Sequence, residues 1–136
     1  MTNDTPNRPS QLVIAQRYRN AIVSYLETVS SYAKQRDLEA YLGPNHTVYE
    51  IINQWEDWVQ GDNLGWFNEP VFSSAEQRAI RDFHVIWESL ADTSGKLGPL
   101  SKLIGTEPWE RLRLAAEGAL GVFTERGRFH EEQDEL

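Results

Sequence analysis

Apolar residues recur every three or four positions in four separate stretches of this chain, and this helical periodicity is what most constrains its fold. The first stretch follows Ser10, a predicted N-cap, and the others begin at Thr47, Ser73 and Thr106. Thr47 and Ser73 are each followed three residues later by a glutamate, the spacing of a capping box. We therefore predict four amphipathic helices.

The segments between these stretches contain residues that end the helices or form short turns. The first helix must stop at Gly43-Pro44, and residues 37–42 either extend it or form a turn. The leucines of segment 97–104 predict a short helical turn, and no segment alternates with the period of two typical of a strand. The predicted fold is all-α: a single-domain helical bundle over residues 1–136, with about four main helices, short helical turns in the loops, and flexible tails at 1–9 and 128–136.

Composition limits the possible partners. The chain has no Cys, which excludes disulfides and thiolate metal sites. Its net charge of −8 favours a cationic partner over nucleic acid or an anionic membrane. Its first residues lack the apolar core of a secretory signal, and no segment has the roughly 20 apolar residues of a membrane span. We therefore expect a cytoplasmic protein.

The negative charge is concentrated in residues 37–77, called here the base-free stretch because it contains no Lys or Arg. It holds eight acids, which equals the net charge, so the remainder of the chain balances thirteen acids with thirteen bases. It also holds three of the five tryptophans, of which Trp55 is predicted to be core. Aromatic rings rimmed by acids favour binding of a basic protein, although the rings could instead close the end of the bundle. The predicted partner-binding residues are Glu56, Asp57, Trp58, Asp62, Trp66, Phe67 and Glu69.

Motifs for catalysis are not apparent in the sequence. There is no nucleophile elbow, phosphate-binding loop or dinucleotide-binding pattern. His84 and Glu88 lie one helical turn apart but have no evident third ligand, so an ordinary histidine–carboxylate pair is the simpler interpretation. We expect no enzymatic activity, no cofactor and no metal.

The region from about residue 48 to 126 resembles small bacterial immunity proteins, the cognate inhibitors of polymorphic and contact-dependent toxins. The resemblance is carried by Trp55-Glu56-Asp57-Trp58, Val71-Phe72-Ser73-Ser74-Ala75-Glu76, Phe83-His84 with Trp87, and Glu107-Pro108-Trp109-Glu110 followed by Leu112, Ala116 and Phe123. It implies an all-α, acidic protein that blocks a toxin domain by covering it. Two other classes stay open: a helical adaptor or oligomeric subunit, which would expose an apolar helix stripe, and a small helical enzyme, which would contain a polar pocket.

Overall fold

A computed structural model describes residues 10–59, 67–91 and 97–133, and over these ranges the chain is a bundle of helices without strands. The helices are α1 (Gln11–Val29), α2 (Tyr32–Leu42), α3 (Thr47–Trp58), α4 (Ser74–Ala91), α5 (Leu100–Leu103) and α6 (Glu107–Phe123). The predicted all-α bundle is confirmed, and α5 is the short helical turn expected among the leucines. Within the described ranges, no helix is both long and apolar enough to cross a membrane.

The first predicted helix is divided in two at Ser30-Ser31. Ser30 ends α1, and the Ser31 side chain accepts a hydrogen bond from the Lys34 backbone amide as the N-cap of α2. Serine hydroxyls compete with the helical backbone in this way, so two in succession can stop a helix without Gly or Pro. The apolar periodicity gave no sign of this break.

The predicted helix caps have three different outcomes. Ser10 caps α1 as predicted, and Ser73 and Glu76 form a reciprocal capping box, each side chain accepting from the other residue's backbone amide at 3.2 and 3.0 Å. The capping box at Thr47 is wrong, because Thr47 lies inside α3 and its buried hydroxyl donates to the Gly43 carbonyl. Thr106 occupies the N-cap position of α6, but its hydroxyl donates to Leu103 instead.

The core forms where α1 and α4 pack side by side on α6. Both run antiparallel to α6, since the end of α6 lies near the start of α4 and near Arg19 of α1. Trp55 from α3 fills the centre, with its ring centroid 4.7 Å from that of Phe83 and its indole N–H donating to His84 Nδ1 at 3.2 Å. Trp55 is fully buried, as predicted.

The predicted C-terminal tail is wrong for residues 128–133, which pack against α1. The Phe129 ring is 9% exposed, and its backbone makes two hydrogen bonds with the buried side chain of Asn20. Gln16 donates to the carbonyl oxygens of His130 and Gln133, both at 2.8 Å. Buried amide side chains on α1 thus bind a polar segment through its backbone, a mode of attachment that apolar periodicity cannot predict.

Candidate functional site

An open groove of about 520 Å³ lies at one end of the bundle, between the first half of α1, the last turn of α3 and the segment 67–72 that leads into α4. Most of its surface is apolar or aromatic. The described lining residues are Gln11, Leu12, Ile14, Ala15, Tyr18, Asp57, Trp58, Phe67, Asn68, Glu69, Pro70, Val71 and Phe72. The groove therefore brings together four of the seven predicted partner-binding residues with the start of α1.

The groove carries negative charge at its edge. Asp57 and Glu69 are exposed among its lining residues, Glu56 is exposed beside them, and none of the described lining residues is Lys or Arg. One Glu69 oxygen accepts a hydrogen bond from the Ser74 hydroxyl at 3.0 Å, which fixes this carboxylate beside the start of α4. An apolar surface bordered by acids favours binding of a partner through an apolar or aromatic side chain that has a positively charged group on it or beside it.

The aromatic members of the predicted site have different positions. Trp58 is partly exposed, with one edge against Tyr25 at a centroid distance of 5.7 Å, so its remaining surface faces the groove. Phe67 is 6% exposed and packs edge-on against Phe72 at 4.9 Å. The expectation that Phe67 belongs to an accessible anchor patch is therefore corrected: its ring forms the base of the groove because it completes the core.

Two predicted site residues, Asp62 and Trp66, lie outside the described residues. Tyr18, which follows the helical spacing of the first apolar stretch, lines the groove and is 43% exposed. Val13, Gln16 and Arg19 in the same turns of α1 are buried, so the exposure of Tyr18 reflects the face of the helix on which it lies. A tyrosine, with its polar tip, was the available signal that this end of the stripe meets solvent.

A charge cluster centred on the buried Glu76 holds the segment that forms one wall of the groove. Arg19 Nη2 lies 2.7 Å from Glu76 Oε2, and Arg126 Nη2 lies 2.5 Å from Glu76 Oε1. Arg126 also donates to the carbonyl oxygens of Pro70 and Val71, at 3.0 and 2.6 Å. The cluster thereby connects the groove wall to the middle of α1 and to the residues that follow α6.

Glu76 is one of the eight acids of the base-free stretch, yet it is 1% exposed and bound by two arginines from distant parts of the chain. Burial raises the pKa of the Glu76 carboxyl, but hydrogen bonds from Arg126, Arg19 and the Ser73 amide outweigh burial and leave the pKa below its ordinary value. The charge of Glu76 is therefore compensated by two arginines from outside the base-free stretch.

The three histidines do not line the groove. His84 is buried, stacks on Trp87, and lies 3.2 Å from Glu88, as the sequence suggested. Its Nδ1 accepts from Trp55, so its role in the described structure is to satisfy a buried indole. Among the described residues, no group of three or more His, Cys, Asp or Glu side chains is placed to hold a metal ion.

Comparison with known protein families, with characterised proteins and with solved structures finds no match to this chain. The class that the fold and groove define is an all-α bundle with an acidic, aromatic groove at one end. Function is therefore argued from this geometry.

Proposed function

We propose that the chain is a protein-binding inhibitor of the immunity-protein kind, which neutralises a basic bacterial toxin domain by covering it with the acidic groove. The observation that carries the proposal is the lining of the groove: apolar walls, two exposed carboxylates and no Lys or Arg among the described lining residues. Such a surface has a place for an apolar side chain and unpaired negative charge for a partner's cations.

The chemistry of the lining supports recognition rather than turnover. Among the described lining residues, the polar groups are carboxylates, amides, the Trp58 indole and the Tyr18 phenol, and the Glu69 carboxylate accepts a hydrogen bond from Ser74 within the chain. Tryptophan and tyrosine are residue types that dominate protein interfaces, and here Trp58 is partly exposed and Tyr18 is exposed. The volume would also admit a small molecule, so small-molecule binding is an outcome that the experiment must distinguish.

In this proposal the inhibitor acts in the cytoplasm of the cell that makes the toxin, without cofactor, metal, nucleic acid or membrane. Negative charge around the groove speeds the approach of a basic domain and repels phosphate. Apart from the start of α1, which lines the groove, the part of the chain that balances acids with bases lies outside the proposed contact surface.

The experiment pairs the chain with the protein encoded by the adjacent gene. We expect co-expression to relieve growth arrest caused by that protein and a one-to-one complex to form that weakens as salt rises. The Asp57→Lys/Glu69→Lys double variant should protect less well than the parent while keeping its helical circular dichroism. Protection that the double variant retains in full, or a complex insensitive to salt, would contradict the proposal.

A further inference from the structure

Helix α4 presents to solvent a stripe of residues spaced alternately three and four apart, all of them exposed. The residues of this stripe, called here the α4 seam, are Ala75, Arg78, Asp82, Val85 and Ser89. This spacing is that of the contact positions at which two helices pair along their length. Val85 is the large apolar residue of the stripe and is 66% exposed, so its side chain is accessible to a second helix.

The two charges of the α4 seam are free to bind another molecule. Arg78 and Asp82 lie one helical turn apart, but within the described residues neither forms an ion pair. An arginine four residues before an acid is the less favourable order for pairing within a helix. Both side chains therefore remain available.

The surface beside the α4 seam has room for another helix. A groove of about 570 Å³ runs between α4 and α6, lined largely by small residues that include Ala79, Ala115 and Gly118. Apart from its chain neighbours and the backbone of its own helix, no described atom lies within 4 Å of the place where a Cβ on Gly118 would be. Leu114, one turn before Gly118 on the same face of α6, is 50% exposed.

We propose that a second copy of this chain packs on this face, with the two α4 helices antiparallel about a two-fold axis at the level of Ile80. Arg78 lies two residues before Ile80 and Asp82 two after it, while Ala75 lies five before and Val85 five after. Antiparallel pairing at this register brings each Arg78 opposite the second copy's Asp82. It also brings each exposed Val85 opposite the second copy's Ala75, a large residue against a small one.

The self-complementary order of the α4 seam is what favours a second copy over another partner. In a two-fold interface each residue must find its complement on the same surface of an identical chain, and both the charge pair and the size pair satisfy this condition. From Arg78 onward the helix also belongs to the part of the chain in which acids and bases balance, so two copies meet there with less repulsion than at the acidic groove.

Sedimentation velocity of the full chain over a range of concentrations tests this inference. We expect a reversible dimer, with Arg78→Asp and Asp82→Arg each raising the dimer dissociation constant about tenfold or more. The double variant Arg78→Asp/Asp82→Arg restores the charge pairs in reversed order, so it should restore the dimer. Arg36→Asp, on exposed α2, is the matched control and should leave association unchanged.

Three results would overturn the α4 dimer. They are a parent chain that stays monomeric up to millimolar concentration, a dimer that tolerates both single reversals, and a double variant that fails to regain association while its circular dichroism matches the parent. None of these results bears on the acidic groove, because the toxin co-expression test uses variants at Asp57 and Glu69 alone.

Discussion

The base-free stretch supplies carboxylates to two regions, one in which the carboxylate is buried and neutralised and one in which the carboxylates stay exposed. Glu76 is buried, and two arginines from distant parts of the chain neutralise it. Asp57 and Glu69 stay exposed at the groove, where no described lining residue is a cation. Acids that are close together in the sequence thus have two different positions in the structure. Glu76 and its two arginines form an ion-pair cluster inside the protein, called here the internal tie. Asp57 and Glu69 form an external surface, and only that surface can attract a partner.

The largest expected effect concerns the internal tie. Arg19→Ala should lower the free energy of unfolding by about 3–5 kcal/mol, because it removes one partner from a buried ion pair. It also removes the guanidinium that lies 4.1 Å from the Phe129 ring centroid. Urea denaturation measures the loss. Arg17→Ala is the control, because this half-exposed neighbour pairs, among the described residues, with the exposed Glu132 and a backbone carbonyl. A loss at Arg19 no larger than at Arg17 would show that the buried ion pair is not what stabilises the fold.

The pH dependence of the free energy of unfolding tests the same difference between the buried Glu76 and the exposed carboxylates. The folded-state pKa of Glu76 lies below its ordinary value of 4.5, so the carboxylate binds protons more readily in the unfolded chain. Its contribution is fully present above that value and is lost as pH falls through the lowered folded-state pKa. Glu76→Gln should therefore be less stable than the parent at neutral pH, and the difference should shrink towards low pH. A difference that stayed constant from pH 7 to acid would show that ionisation of Glu76 is not what stabilises the fold.

At the external surface, the expected effects are on binding. Tyr18→Ala should weaken the complex with the toxin domain by about 2 kcal/mol, mainly through faster dissociation, if this tyrosine is an interface anchor. Tyr49→Ala is the matched control, since Tyr49 is 69% exposed on a helix but does not line the groove. Surface plasmon resonance measures the dissociation rate of the complex with each variant. Equal effects of the two substitutions would show that the groove is not the contact surface.

The smallest expected effect is on the rate of encounter. Reversing both groove charges in Asp57→Lys/Glu69→Lys should slow association about tenfold at low salt, because steering depends on the local potential. The difference should diminish as the Debye length approaches about 8 Å at physiological ionic strength. Glu107→Lys/Glu117→Lys, on exposed positions of α6, makes the same change in net charge and should slow association less. Equal slowing by the two double variants would mean that only net charge matters.

Much of the fold could be predicted from the sequence because burial follows helical periodicity. Ile80, Phe83, Leu112 and Phe123 are all buried where their spacing placed them. The break between α1 and α2 could not be predicted in this way, because serine side chains, and not Gly or Pro, end the helix.

The candidate site was predictable in part. Asp57, Trp58 and Glu69 line one groove although ten residues lie between Trp58 and Glu69, and local acidity with aromatic residues was the signal. The burial of Phe67 and the exposure of Tyr18 depend on which face of each segment meets the core, which is a property of tertiary packing. The pairing of Glu76 with Arg19 and Arg126 joins residues 57 and 50 positions apart, so no local pattern could indicate it.

The acidic groove is, in this proposal, the protein-binding surface of the chain. The most direct test is an NMR titration of the isotopically labelled chain with a short peptide that carries several arginines and one leucine, alongside the same peptide with citrulline in place of arginine. We expect the arginine peptide alone to shift amide signals within residues 11–18, 57–59 and 67–72, with weaker shifts at higher salt. Shifts centred on Arg111 and Arg128 instead, or equal shifts with the neutral peptide, would contradict the claim.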